Sequence, residues 1–111
     1  MNRIPAHPDP AEIALQQVLE ALVDPVRRSI VTQLAQAAED VKCGGFDLDV
    51  SASTATHHFK VLREAGLIRQ YYVGTSRMNS LRDEEFEQVH PGLLGAIVAA
   101  ESSRRPRKPV G

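Results

Sequence analysis

The chain has 111 residues, of which 42% are hydrophobic and 24% are charged, and its formal net charge is −1 at pH 7. This length suits one domain and excludes two, and no apolar run reaches the roughly 18–20 residues that a membrane helix needs. Because the N-terminal segment lacks the apolar region of a signal peptide, we predict a cytoplasmic protein with no membrane partner, and the single cysteine, Cys43, excludes an internal disulfide.

Helix start signals mark the first two predicted helices. Asp9 is a good N-cap, with Pro10 at the first helical position and Glu12 placed to close a capping box. The pair Asp24-Pro25 repeats the same signal and opens the second helix. Apolar residues at helical spacing follow each start. In the first helix they form a broad apolar stripe of Ile13, Leu15, Val18, Leu19 and Leu22, and in the second helix the predicted core face is Val26, Ile30, Val31 and Leu34.

The segment from residue 39 to residue 50 has no helical periodicity. Gly44-Gly45 breaks a helix, and Phe46, Leu48 and Val50 alternate with two aspartates. This alternation predicts a short extended segment that packs three apolar side chains. A degenerate helical turn is the alternative.

The next stretch predicts a capped helix from Ser53 to Ala65. Ser51 and Ser53 are both candidate caps, and Gly66 supplies the left-handed exit that helix ends favour. The predicted buried face consists of Ala55, Phe59, Leu62 and Ala65. Threonine, histidine and lysine side chains remain on the opposite face, which therefore faces solvent or a polar partner.

A hairpin and a final helix complete the predicted elements. Leu67–Val73 and Met78–Leu81 should pair around Gly74-Thr75-Ser76. A helix should run from Asp83 to about Ser102, interrupted at Pro91-Gly92. The fold class is therefore mainly α with a small β-hairpin wing, which is the winged helix-turn-helix plan.

This plan assigns three parts to the chain. Residues 1–8 should form a disordered N-terminus, residues 9–102 the winged helix-turn-helix domain, and residues 103–111 a basic disordered tail. Charge follows a similar division, since residues 57–82 hold five basic side chains and one acid, whereas residues 83–101 hold five acids and no Lys or Arg. A local basic patch suits phosphate binding, although segregation of charge between solvated faces would give the same pattern.

Three motifs resemble the arsenic-repressor (ArsR) type of winged helix-turn-helix repressor. The family's Asp-Pro-x-Arg helix start is matched at residues 24–27. Its Ser-x-Ser-Thr-x-Ser-x-His-Leu-x-x-Leu-x-x-Ala-Gly-Leu-Ile pattern is matched closely by residues 51–68, with Ala52 where the family often has Gln or Lys. A Gly-x-x-Arg wing is matched by Gly74 and Arg77, and the likeness covers roughly residues 11–100.

The resemblance implies a homodimeric transcriptional repressor that binds double-stranded operator DNA and releases it when an effector binds. It also implies a dimer interface between the first and last helices, for which the candidates are Leu15, Leu19, Leu93 and Ile97. The apolar strip of the last helix supports this interface because it needs a partner. Packing of that strip on the first helix of the same chain is the alternative.

The candidate DNA-binding residues are Ser53, Thr54, Thr56, His57, Lys60, Arg63 and Arg77. The N-terminal residues of the recognition helix should meet base edges, and Lys60 should reach guanine or a phosphate. Arg63 should meet the backbone, and Arg77 at the wing a phosphate or the minor groove. His58 is interpreted as a packed side chain, and Arg69 and Arg82 as solvated charges.

No metal site, cofactor or catalytic residue is predicted. Cys43 is a single thiol, and Asp83 and His90 lack a second histidine, whereas zinc prefers four ligands and metalloids several thiolates. No spacing places a catalytic triad or a phosphate loop, so we predict that the chain is not an enzyme. The alternatives are a redox- or metal-responsive repressor that uses Cys43, and a winged-helix protein-interaction module. A repressor that responds to an organic small molecule, or one that acts constitutively and is regulated through its expression level, is a further alternative.

Overall fold

A computed structural model describes residues 6–103 of the chain. Residues 1–5, which belong to the predicted disordered N-terminus, lie outside the described residues. The predicted basic tail lies outside them from residue 104 onward. The helices are α1 (Leu15–Leu22), α2 (Pro25–Gln36), α3 (Ala52–Glu64), α4 (Asp83–Val89) and α5 (Leu93–Ser103). The strands are β1 (Val41–Lys42), β2 (Ile68–Val73) and β3 (Ser76–Leu81), and two 3-10 turns lie at Pro10–Glu12 and Cys43–Gly45.

The strands form one antiparallel sheet in the order β1-β3-β2. β2 and β3 pair in full register from Ile68 opposite Leu81 to Val73 opposite Ser76. Each of the five helices contributes residues to one apolar core. The polar face of α3 and the exposed sides of α1 and α5 lie outside this core. Its members include Val18, Leu22, Ile30, Val31, Phe59, Leu62, Leu67, Ile68, Phe86 and Leu94. The predicted winged helix-turn-helix architecture, mainly helical with a small wing, is confirmed.

The first predicted helix is wrong at its start. Asp9 does cap a turn, since its Oδ1 accepts the Ala11 N–H at 3.0 Å, but this is a 3-10 turn that ends at Glu12. The backbone is extended at Ile13, and α1 begins only at Leu15. Ile13 leaves the helical path because its side chain is buried in the core, where it packs near Gly66.

The segment from residue 39 to residue 50 combines both predicted conformations, since a 3-10 turn forms at Cys43–Gly45 and the backbone is extended at Phe46. The strand in this region is β1, which pairs Val41 with Asn79 and Lys42 with Met78 on the free edge of β3. Phe46 and Leu48 nevertheless pack against the core. The Phe46 and Phe59 ring centroids are 5.3 Å apart, so packing of the predicted apolar side chains does not require a strand.

The predicted caps of α2 and α3 follow their sequence signals. Asp24 Oδ1 accepts the N–H groups of Val26 and Arg27 at 2.8 and 3.3 Å. Of the two candidate serines, Ser51 caps α3 by accepting the Thr54 N–H at 3.2 Å, so the helix begins one residue earlier than predicted. Gly66 has a φ of 78°, which confirms the predicted left-handed exit.

Two adjacent arginines of α2 hold the C-terminal end of α1. Arg27 donates from Nε to the Ala21 carbonyl at 2.6 Å, and Arg28 donates from Nη1 to the carbonyls of Leu22 and Val23 at 2.9 and 2.8 Å. The last carbonyls of a helix have no partners within it, and cations there also interact favourably with the helix dipole. Arg27 and Arg28 therefore fix α1 against the start of α2.

The same Arg27 reaches α3. Its Nη1 lies 3.1 Å from His58 Nδ1, which accepts this hydrogen bond when the imidazole is neutral. Burial, together with the positive charge of Arg27, lowers the pKa of His58, although the nearby Asp24 carboxylate opposes this shift. Burial also acts against ionisation of Asp24, but the two backbone N–H groups at the cap outweigh it and lower the pKa of that carboxyl.

The segment before α1 is bound to the wing. Arg82 is buried rather than solvated as predicted, and its Nη1 donates to the Pro8 carbonyl at 2.8 Å. His7 Nε2 accepts the Gln70 N–H of β2 at 2.9 Å, and burial followed by the charge of Arg82 lowers the pKa of His7. A hydrogen bond from Arg82 lowers the pKa of Glu85, which also pairs with the half-exposed Arg69 at 2.8 Å.

Among the helices of residues 6–103, none combines the length and the apolar character that crossing a bilayer would require.

Replacement of Gly66 tests the left-handed exit of α3. A Cβ at this position would lie 2.6 Å from Ile13 Cδ1, in a backbone conformation that L-residues avoid. We expect Gly66→Ala to lower the free energy of unfolding by roughly 1–3 kcal/mol in urea titrations. Gly44→Ala is the matched control, because nothing lies within 4 Å of its added Cβ. Equal stability of the two variants would contradict this role of Gly66.

The two histidines with lowered pKa values predict a pH dependence of stability. Because His7 and His58 titrate below 6.5 in the folded chain, the unfolded chain takes up protons first as the pH falls. The free energy of unfolding should therefore decrease as the pH falls from about 6.5 toward 5, above the range where Asp24 and Glu85 lose their charge. Thermal unfolding across this range measures it. His58→Asn, which keeps an acceptor for Arg27, should flatten the profile; an unchanged profile would contradict the prediction.

Candidate nucleic-acid interface

Helix α3 presents one polar face to solvent. The predicted contact residues on this helix that are exposed are Ser53, Thr54, Thr56, His57 and Lys60. The opposite face is buried through His58, Phe59 and Leu62. The prediction of an exposed His57 beside a packed His58 is confirmed. The helix therefore offers hydroxyl, imidazole and ammonium groups on a rigid element with an apolar anchor.

Hydroxyl groups are concentrated at the N-terminus of α3. Ser51 Oγ donates to Thr54 Oγ1 at 2.9 Å and lies 3.2 Å from Ser53 Oγ. Thr56 Oγ1 donates to the Ala52 carbonyl at 2.9 Å, one turn back along the helix. Free N–H groups and the helix dipole make such an N-terminus favourable for anions. These hydroxyls can therefore hydrogen-bond phosphate oxygens or base edges.

The wing carries Arg77 in a defined arrangement. Arg77 lies opposite Tyr72 in the hairpin, and its Nη2 and Nε donate to the Tyr72 hydroxyl at 2.6 and 3.1 Å. The guanidinium carbon is also 5.1 Å from the Tyr72 ring centroid. Tyr72 was not selected from the sequence, although its position across the hairpin from Arg77 is a signal that could have identified it. Near the turn, Val73 is 61% exposed.

Arg63 has different surroundings from the other predicted contacts. It is half-buried near the C-terminal end of α3, and its Nη1 donates to Gln70 Oε1 of β2 at 2.6 Å. Its Nε is buried and has no hydrogen-bond partner among the described residues. The guanidinium is thus directed at the sheet.

Cys43 lies beside two buried amides that sequence reasoning missed. Gln70 and Asn79 are fully buried, and the Sγ of Cys43 lies 3.3 Å from Asn79 Nδ2 and 3.8 Å from Gln70 Nε2. The thiol itself is half-buried. Polar residues on short strands usually indicate a solvated face, so nothing in the local pattern marked these two for burial.

The described residues contain no cluster of three or more His, Cys, Asp or Glu side chains that could hold a metal ion. Asp83 is exposed at the start of α4. His90 follows α4, where its ring packs 5.1 Å from the Phe86 centroid. These two residues, considered as ligands from the sequence, are thus not joined by further ligands within residues 6–103.

The candidate dimer residues fall into two groups. Leu15 and Leu19 are 48% and 44% exposed on α1, and Val23, which was not predicted as an interface residue, is 72% exposed just after this helix. Leu93 and Ile97 of α5 are half-buried and pack against the core of their own chain. An exposed apolar row therefore runs along α1, whereas the α5 residues already have intramolecular contacts.

Known proteins of similar sequence indicate the family to which this chain belongs. A sequence profile described as bacterial regulatory protein, arsR family, matches residues 24–70. The chain is 35% identical over 83 residues to an uncharacterized HTH-type transcriptional regulator, YceK, of Bacillus subtilis (strain 168). That alignment covers 73% of this chain and 83% of the relative. The matched segments include α2, α3 and the start of the wing.

Solved structures have the same fold. The crystal structure of an ArsR family transcriptional regulator matches with a TM-score of 0.61 at 22% identity, covering 82% of this chain and 93% of that one. An ArsR-like transcriptional regulator from Rhodococcus sp. RHA1 matches with a TM-score of 0.59 at 26% identity, covering 79% of this chain and 82% of that one. The chain therefore belongs to the ArsR family of DNA-binding transcriptional regulators.

Proposed function

We propose that the protein is a homodimeric repressor that acts in the cytoplasm by binding double-stranded operator DNA, with α3 of each subunit in a major groove. The observation that carries the proposal is the exposed polar face of α3, whose opposite face is anchored in the core. A helix fits the major groove, where base pairs present distinct donors and acceptors. The wing then extends the contact along the DNA backbone.

The proposed contacts divide by chemistry. Ser53, Thr54, Thr56 and His57 lie in the first half of α3, which meets base edges in helix-turn-helix proteins. Lys60, one turn further, supplies a positive charge for guanine or a phosphate. Arg77 supplies a second cation from the wing, where Tyr72 holds its guanidinium. Arg63 is not among these proposed contacts, because its guanidinium donates to Gln70.

Dimerisation would bring the α3 helix and the wing of a second subunit to the same DNA. The exposed row of Leu15, Leu19 and Val23 on α1 offers apolar area that a partner subunit would cover. Gly95 and Ala99 of α5 are exposed and line an open cleft beside α4, where their small size permits close approach of a partner helix. A two-fold dimer would read half-sites about 34–36 Å apart, or a multiple of that distance.

A protein-interaction module is the competing function. The acidic start of α4, with Asp83 and Glu84 exposed, would suit a basic partner protein. A contact between this acidic patch and a basic protein would weaken with salt, as DNA binding through Lys and Arg does. Preference for the operator duplex over a scrambled duplex of the same length therefore separates the two functions.

Removal of the two proposed phosphate or base contacts should weaken DNA binding. We expect Lys60→Ala and Arg77→Ala each to reduce affinity for the operator about tenfold. If each subunit loses one phosphate contact, the slope of log K against log salt should fall by about 2 per dimer. Fluorescence anisotropy with a labelled operator duplex, at several salt concentrations, measures both quantities.

A matched variant controls for the loss of positive charge. Arg69→Ala removes an arginine at the start of β2 that is paired with Glu85. Arg69 lies neither on α3 nor near the turn of the wing, so this variant should bind nearly as the parent does. Parent-like binding by Lys60→Ala and Arg77→Ala would show that the proposed DNA face is wrong.

A charge in the exposed apolar row should disrupt the dimer. Leu19 is half-exposed and outside the core, so Leu19→Glu should fold normally but place a carboxylate in the subunit interface. We expect the dimer dissociation constant to rise by at least about tenfold. Sedimentation equilibrium should give about twice the chain mass of 12.2 kDa for the parent and the chain mass for the variant.

Val73→Glu is the control for this experiment, since it changes another exposed apolar residue in the same way, but on the wing. It should remain dimeric. A monomeric parent at micromolar concentration, or a dimeric Leu19→Glu protein, would contradict the proposed interface.

A further inference from the structure

We propose that Arg63, Gln70 and Asn79 form a positioning relay, which fixes the recognition helix α3 relative to the wing without contacting DNA. This inference rests on the proposed function, because it explains how one rigid unit would present both Lys60 and Arg77 to the same duplex. It assigns Arg63 a role different from the DNA backbone contact that its sequence position suggested.

The relay is a continuous chain of hydrogen bonds between elements. Arg63 Nη1 on α3 donates to Gln70 Oε1 on β2 at 2.6 Å. Gln70 Nε2 donates to Asn79 Oδ1 on β3 at 2.9 Å, and Asn79 Nδ2 donates to the Val41 carbonyl on β1 at 3.0 Å. The relay therefore connects the recognition helix to all three strands of the sheet.

The direction of every bond in the relay is fixed by chemistry. A guanidinium can only donate, so it requires the oxygen of the Gln70 amide, which leaves the Gln70 nitrogen for Asn79. The Asn79 amide must then present its oxygen to Gln70 and its nitrogen to the Val41 carbonyl. A rotated amide at Gln70 or Asn79 would break two contacts at once. This mutual dependence defines one arrangement of α3 and the sheet.

Burial makes these contacts energetically important. Gln70 and Asn79 are both 0% exposed and face each other across the β2–β3 ladder. A buried amide is costly unless it is hydrogen-bonded, and apolar side chains would fill the same space without that cost. Apolar packing is non-directional, however, whereas satisfied polar networks select a unique arrangement. The amides therefore contribute orientation in addition to cohesion.

Gln70→Met tests the relay because it keeps side-chain length and the Gln70 N–H but removes the amide. We expect the wing to lose its fixed orientation, so that Arg77 no longer contributes to DNA binding. In the parent, Arg77→Ala should reduce affinity about tenfold; in the Gln70→Met background it should have less than about a twofold effect. A full tenfold effect of Arg77→Ala in that background would overturn the relay.

A variant that only loses stability should keep the tenfold effect of Arg77→Ala, and a control variant tests this. Gln33→Met removes another two-ended amide, which accepts the Asp47 N–H at 2.9 Å and donates to the Asp47 carbonyl at 3.0 Å. It should lower stability yet leave the effect of Arg77→Ala unchanged. Gln70→Glu, which keeps an acceptor for Arg63 but loses the donor to Asn79, should reproduce the Gln70→Met result.

A measurement without DNA separates the relay from the proposed function. Backbone N–H residual dipolar couplings of α3 and of the β2–β3 hairpin should fit one alignment tensor in the parent. In Gln70→Met the couplings of the hairpin should shrink relative to those of α3. One common tensor in this variant would overturn the relay even if DNA binding is established. Absence of DNA binding by the parent would refute the proposed function, and the couplings would then decide the relay alone.

Discussion

The structure depends on one constraint, which is that α3 must be buried along one face and remain polar along the other. Phe59 and Leu62 are almost completely buried, whereas Thr56, His57 and Lys60 on the same helix are exposed. Burial of each such side chain contributes about 1.5–3 kcal/mol to the free energy of unfolding. A helix as short as α3 would be only marginally stable in water without this packing. The apolar face therefore holds the helix, and the polar face is free to contact a partner.

Directional contacts at both ends of α3 complete this arrangement. At its start, Ser51 caps the helix, and at its middle Arg27 links His58 to the end of α1. At its end, Gly66 turns the chain into β2 with a positive φ. The contacts of Arg27 connect α1 and α2 to the recognition helix, and Gly66 connects the recognition helix to the wing. This arrangement agrees with membership in the ArsR family and with the proposed use of α3 and the wing on DNA.

Local rules predicted much of this molecule. Caps, the glycine exit, the hairpin and the buried face of α3 depend on neighbouring residues, and each was recognisable in the sequence. The separation of the 3-10 turn from α1 was not, because it depends on the packing of Ile13 near Gly66, which is distant in sequence. The same applies to β1, a two-residue strand that forms only where β3 offers a free edge. The surroundings of long side chains were the hardest to predict. Arg82, for example, donates to the Pro8 carbonyl, which is distant in sequence, and is buried.

The central claim is that α3 and the wing bind operator DNA. Binding of the purified protein to duplex DNA from upstream of its own gene, measured by fluorescence anisotropy at about 50 and 200 mM salt, tests it most directly. The account predicts preference for this DNA over a scrambled duplex, with affinity at least about a hundredfold lower at the higher salt concentration. Equal binding to both duplexes, or affinity that does not change with salt, would contradict it.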